Sequence, residues 1–186
     1  MTLAKDPSHS AYDMSAEMQS EEIVRRTLAV TVDNDAGVLA RVIGLFSGRG
    51  YNIESLTVAE IDDQSHLSRI TIVTSGTPMV IHQIVSQLER LVPVHKVTDL
   101  TLAGPAIERE LALVKVVCKG EARIEALRLR DAFRADIKDA THESFVFEVT
   151  GRTSKIDSFV ALMRPLGLVE VSRTGVVAIK RGSEAF

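Results

Sequence analysis

From Ile23 onward the hydrophobic period of this chain switches repeatedly between two and about 3.6 residues, and few folds accommodate the order in which it does so. Residues 27–32 alternate, with Leu28, Val30 and Val32 on one face, as a half-buried strand does. After Asp33-Asn34-Asp35-Ala36-Gly37 the period lengthens. Val38, Val42 and Leu45 make one row and Leu39, Ile43 and Phe46 a second, which predicts an amphipathic helix. Asp35 is its expected N-cap, the carboxylate accepting from a first-turn N–H, and Gly48 or Gly50 its expected left-handed stop. Residues 52–61 read as the next strand, with a slip between Ile53 and Leu56 that suggests a bulge. Asp62-Asp63-Gln64-Ser65 reads as a hairpin turn, and residues 67–74 as the partner strand. Thr77 and Pro78 suit the N-cap and first turn of a second helix. Val80, Ile81, Ile84, Val85, Leu88 and Val92 form its apolar face, Pro93 ends it, and residues 94–102 return as a strand.

Strand, helix, strand, strand, helix, strand over residues 23–103 is the split βαβ, or ferredoxin-like, order. It predicts a four-stranded antiparallel sheet with two helices on one face. Gly104-Pro105 reads as a hinge, after which the order repeats over 104–186: a strand at 110–117, a helix bearing Ala122, Ala126, Leu129 and Phe133, strands at 136–140 and 145–149, a helix bearing Ile156, Phe159, Val160 and Met163, and a last strand at 169–181 broken at Thr174-Gly175. The expected fold class is therefore α+β, two ferredoxin-like βαββαβ domains in tandem. The two halves match in element order, not in residue identity. Residues 1–22 stand apart, with one basic residue (Lys5), five acidic ones and no apolar period, and are expected to be a disordered acidic tail.

Composition removes several function classes. Net charge is −3, and residues 104–186 hold 14 basic and 12 acidic residues, so no basic footprint invites nucleic acid. Aromatics are 4% with no Trp, too few for base-stacking platforms. The single cysteine, Cys118, ends an apolar strand and reads as a small core residue. The five His show no metal-ligand spacing, so no metal site is expected. No apolar run reaches the length of a membrane span, and the N-terminus lacks a signal-like apolar region; a cytoplasmic location is expected. Asp62-Asp63 is a carboxylate pair best explained by turn chemistry. His66 and His142 fall at hairpin tips. No nucleophile elbow or P-loop occurs, and Gly48-Arg49-Gly50 follows a helix instead of opening one. No catalytic residue stands out.

One segment has the makings of a ligand site, Asp33-Asn34-Asp35-Ala36-Gly37-Val38, between the first strand and the first helix. First-turn N–H groups have no intrahelical partners and carry the positive end of the helix dipole. Gly37 allows close approach to the backbone, and Asn34 can both donate and accept. The combination suits the carboxylate and ammonium of a free amino acid. The bland alternative is a turn and a cap with nothing bound, and Asp33 and Asp35 oppose a carboxylate unless they point away or bind the ammonium.

The same residues carry a resemblance. Arg25-Arg26-Thr27-Leu28-Ala29-Val30 through Asp33-Asn34-Asp35-Ala36-Gly37-Val38-Leu39 resembles the start of an ACT domain. Arg41-Val42-Ile43-Gly44-Leu45-Phe46-Ser47 and Arg49-Gly50-Tyr51-Asn52-Ile53-Glu54-Ser55-Leu56-Thr57-Val58 closely resemble the acetohydroxyacid (acetolactate) synthase small regulatory subunits, as do Glu108-Arg109-Glu110 and Ser172-Arg173-Thr174-Gly175-Val176-Val177. The resemblance spans about residues 24–182 and implies an N-terminal ACT domain and a C-terminal ACT-like domain. It implies a non-catalytic subunit that activates the acetolactate synthase catalytic subunit and confers feedback inhibition by valine in branched-chain amino-acid synthesis. Thiamine diphosphate, magnesium and FAD are then expected on the catalytic partner and no cofactor on this chain. It also implies a homodimer through the ACT domain, with the effector between two chains: Asn34, Gly37, Val38 and Leu39 from one, Asn52 and Ile53 from its mate. Two further readings compete, a free-standing ACT-pair amino-acid sensor controlling gene expression and a small enzyme on the same fold.

Overall fold

A computed structural model of the chain describes residues 21–62 and 66–183. The acidic tail, apart from Glu21 and Glu22, and residues 63–65 of the expected turn lie outside the described residues. The chain divides into two compact units, one extending to Pro105 and the other beginning at Ala106.

The first unit runs β1 (Val24–Asp33), α1 (Val38–Arg49), β2 (Ser55–Asp62), β3 (Leu67–Gly76), α2 (Pro78–Leu88) and β4 (Val94–Asp99). Its sheet order is β2-β3-β1-β4, all antiparallel. The predicted alternation is realised: Leu28, Val30 and Val32 of β1 and Ile70 and Ile72 of β3 are buried against Val38, Val42, Leu45 and Phe46 of α1 and Ile81, Ile84 and Leu88 of α2. Gly50 closes α1 at φ +69°.

Three expectations are corrected. The slip in β2 falls between Glu60 and Asp62, not between Ile53 and Leu56, because β2 begins only at Ser55; Asn52 and Ile53 belong to the connection before it. Helix α2 ends at Leu88, well before Pro93, and Val92 is 93% exposed, off the apolar face. Strand β4 stops at Asp99 and does not reach Leu102, because the Asp99 carboxylate accepts the N–H groups of Thr101 and Leu102 and turns the chain. Thr77 caps α2 as expected, its hydroxyl accepting the Val80 N–H at 3.4 Å, with Pro78 following. Thr77→Ala is expected to cost about 0.5–1 kcal/mol. The first unit's thermal midpoint should then fall by a few degrees, read by differential scanning calorimetry.

The second unit repeats the order: β5 (Ala106–Val117), α3 (Gly120–Phe133), β6 (Asp136–Ala140), β7 (Ser144–Gly151), α4 (Thr153–Met163), a short 3-10 turn (Arg164–Leu166) and β8 (Leu168–Arg173), with sheet order β6-β7-β5-β8. The interrupted last strand continues as β9 (Val177–Lys180). β8 pairs the second half of β5 and β9 its first four residues, and Thr174 bridges the break through hydrogen bonds with the Leu111 backbone. Four of the chain's six phenylalanines meet in this core: Phe145–Phe147, Phe147–Phe159 and Phe133–Phe159 contacts span 5.2–6.0 Å. Cys118 is buried, and burial pushes its thiol up, which leaves it little thiolate.

Candidate functional site

The segment between β1 and α1 differs from its sequence reading in one respect that matters. Asp35 does not cap α1. The cap position falls on Gly37 (φ +85°, ψ −4°), which has no side chain to offer. The Val38 N–H donates to the Asp35 carbonyl at 3.3 Å, and Ala36 keeps a negative φ, so Asp35-Ala36-Gly37-Val38 forms a type II turn. That turn requires a positive φ at its third residue, which is why Gly stands there. The helical ladder starts at Arg41 N–H to Gly37 O, 3.1 Å. The Leu39 and Ala40 N–H groups therefore lie in the first turn without an intrahelical acceptor.

The neighbouring polar groups are committed in a definite sense. Asn34 Oδ1 accepts the Ser68 hydroxyl at 2.9 Å, which assigns the free end of the amide as the donor Nδ2. The Asn34 N–H donates to His66 O at 2.7 Å. Asp33 is tied to His95 Nε2 at 2.6 Å, so its carboxylate is engaged across to β4. The exposed end of α1 thus offers N–H donors from Leu39, Ala40 and Asn34, an anion-compatible set. Val38 itself is 4% exposed and serves the core, whereas Leu39 is 37% exposed.

Asn52 and Ile53 lie at the other end of α1. The Asn52 carbonyl accepts the Thr74 hydroxyl at 2.6 Å and its side chain is exposed, while Ile53 is half-buried against the first core. Beside them Glu54 pairs with Arg25 at 3.0 Å and with the Ser75 hydroxyl. With α1 twelve residues long, the two groups of candidate residues are separated by about 18 Å within one chain. Each chain therefore brings Asn34, Gly37, Val38 and Leu39 together, and Asn52 with Ile53, but not the two groups with each other.

Among the described residues no group of three or more His, Cys, Asp or Glu is arranged to hold a metal ion, and no helix is long and apolar enough to cross a membrane. One polar cluster escaped the sequence reading. Glu110, 5% exposed, takes a bidentate pair from Arg173 at 2.6 and 2.8 Å, and Arg173 also reaches Asp157 at 2.7 Å. The hydrogen bonds it donates to Glu110, and then to Asp157, hold the guanidinium above its ordinary pKa. The cluster ties β5, β8 and α4 together. The two motifs that contain Glu110 and Arg173 lie 63 residues apart, so only the β5–β8 register reveals that they touch.

Comparison with known proteins accounts for both units. Residues 28–96 match the AHAS small subunit-like ACT domain family, and residues 109–182 match the family described as the small subunit of acetolactate synthase. The chain is 46% identical over 162 residues to the acetolactate synthase isozyme 3 small subunit of Escherichia coli, covering 87% of this chain and 98% of that one. It is 40% identical over 181 residues to the acetolactate synthase small subunit of Aquifex aeolicus, covering 97% and 93%. Among solved structures it resembles the acetolactate synthase small subunit of Thermotoga maritima, with a TM-score of 0.77 and 37% identity over 87% of this chain and 99% of that one. A ferredoxin-like ACT unit, a second unit of the same topology and this extent of identity together make the chain a member of the acetolactate synthase small-subunit family.

Proposed function

We propose that the chain is a non-catalytic regulatory subunit that raises the activity of an acetolactate synthase catalytic subunit and confers inhibition by valine, which binds between the first units of two copies. The observation that carries this reading is the placement of donors and apolar groups at opposite ends of α1. A two-fold axis across the helix sets the start of one α1 beside the end of its mate, because residues in an isologous interface contact reciprocally. Asn34 Nδ2 and the Leu39 and Ala40 N–H groups of one copy would then hold the valine carboxylate, and Asn52 and Ile53 of the other would close on it from the far side. Surface apolarity supports the pairing. Strand β2 is a sheet edge, and Val58 and Ile61 on it and Ile43 on α1 are each more than 40% exposed. Thiamine diphosphate, magnesium and FAD belong in this reading to the catalytic partner.

The experiment is reconstitution. Mixing this chain with the catalytic subunit should raise its acetolactate-forming rate, and valine should return the rate toward that of the catalytic subunit alone. No change on mixing would remove the reading. Asn52→Ala offers a clean test of the site, because the Asn52 side chain is exposed and only its backbone carbonyl is bonded in the fold. Stability should move by less than about 0.5 kcal/mol, while valine affinity falls about tenfold, the worth of one hydrogen bond to a charged group. Calorimetric titration and thermal unfolding give the two numbers. Asn34→Ala should weaken valine similarly but also destabilise, by about 1 kcal/mol, since it strips Ser68 of its acceptor.

A further inference from the structure

We propose that a cationic groove between α1 and α2 is the docking site for an acidic segment of the acetolactate synthase catalytic subunit, on the reading above that this chain regulates that enzyme. The groove has a volume of about 470 Å³ and is lined by Arg41, Leu45 and Arg49 on one side and Gln87, Arg90 and Leu91 on the other. The first three stand at i, i+4 and i+8, one row along α1. The lining holds three guanidinium groups and no carboxylate. Elsewhere in this unit Arg25 is matched by Glu54 and Arg26 by Asp99. Arg41, Arg49 and Arg90 are exposed, and their side chains have no hydrogen bond or ion pair among the described residues. Three like charges around one groove repel one another, and carboxylates brought by a partner relieve that repulsion.

Gln87 narrows the kind of occupant. Its Oε1 is buried without a donor, and its side-chain amide makes no hydrogen bond among the described residues. An inorganic anion supplies acceptors only. A peptide backbone carries N–H and C=O together and can serve both ends of the amide. Acidic side chains on that peptide can take bidentate pairs from the arginines, and its apolar side chains can cover Leu45 and Leu91. The groove also stays open when two copies pair. Successive helical residues lie about 100° apart, which puts Arg41 and Leu45 about 160° round α1 from Leu39 and Ile43. Leu39 and Ile43 are the exposed apolar residues on the flank that faces the mate in the proposed dimer. The opposite flank, with its three unmatched arginines, is left to a different protein.

The test titrates the intact catalytic subunit at low salt with the parent chain and with the triple variant Arg41→Gln, Arg49→Gln, Arg90→Gln, reading activation and, separately, complex formation by sedimentation. Three exposed pairs at about two- to fivefold each should multiply to a loss of about tenfold or more in affinity. Thermal midpoint and valine affinity should not change. Raising the salt to about 0.5 M should weaken the parent far more than the variant, because screening is then strong. The charge-keeping variant Arg41→Lys, Arg49→Lys, Arg90→Lys should bind within about threefold of the parent. In its complex a carbodiimide should join the introduced lysines to Asp or Glu side chains of the catalytic subunit, located by mass spectrometry. If the parent binds and the glutamine variant binds equally well, the groove is not the docking site and the regulatory reading stands. If the parent neither binds nor activates, both fall. Linkage only to a second copy of this chain, or no linkage in a complex that forms, also overturns the proposal.

Discussion

Gly37→Asp is expected to abolish valine inhibition of the reconstituted enzyme while leaving its activation by this chain largely intact. The substitution sets a carboxylate on the residue that precedes the free N–H groups of α1, where the account places the valine carboxylate. Two unit charges about 5 Å apart at an effective dielectric near 20 repel by about 3 kcal/mol, a loss of about 100-fold in affinity. The fold should survive. A Cβ built at Gly37 meets nothing within 4 Å, and Asp tolerates the left-handed region better than most residues. Gly37→Asn isolates the charge, having the same shape and backbone preference, and should keep most of the inhibition. Inhibition curves for the two variants give the comparison. If Gly37→Asp is inhibited as the parent is, the effector site lies elsewhere.

The second large effect falls on the other unit. Gly167→Ala should destabilise it by more than about 3 kcal/mol, because two costs combine. Gly167 sits at φ +103°, outside the range of ordinary residues, worth about 1–2 kcal/mol. A Cβ there would also lie 2.1 Å from the Val117 carbonyl oxygen, a backbone atom. The chains cannot simply part, since the Val117 N–H donates to Gly167 O at 2.9 Å and fixes the entry of β8 beside β5. For a unit of this size the expected fall in thermal midpoint exceeds about 12 °C. A shift under about 4 °C would mean that the turn repacks and the contact is unimportant. The two glycines thus separate cleanly: both have positive φ, but Gly37 borders open space and Gly167 is walled by backbone.

Much of this architecture was readable from period alone. Leu28, Val30 and Val32 against Ile70 and Ile72 define the first core, and the same order recurs after the Gly104-Pro105 segment. What period could not supply were events decided by single polar groups or by register. Asp99 ends β4 early by capping its own turn, although Leu102 continues the apolar pattern. Asp35 has the chemistry of an N-cap, yet the type II turn requires a positive φ two residues later and moves the helix start to Gly37. That shift leaves the helix end without a side-chain cap. The candidate site followed the same division. Sequence placed Asn34, Gly37 and Leu39 at the start of α1, but which end of the Asn34 amide remains free depends on Ser68, 34 residues away. The Glu110–Arg173–Asp157 cluster was out of reach for the same reason, being created by the β5–β8 register.

Mixed dimers test most directly whether the effector site is shared between two copies. Gly37→Asp damages one end of α1 and Asn52→Ala the other, so each variant alone should bind valine poorly. In a dimer of one copy of each, both lesions fall on the same site, and the second site is assembled from the two undamaged ends. An equimolar mixture that exchanges freely should therefore recover high-affinity valine binding at about a quarter of all sites, as titration calorimetry would record. If each chain binds valine by itself, the mixture recovers nothing, and a site shared between two copies is contradicted.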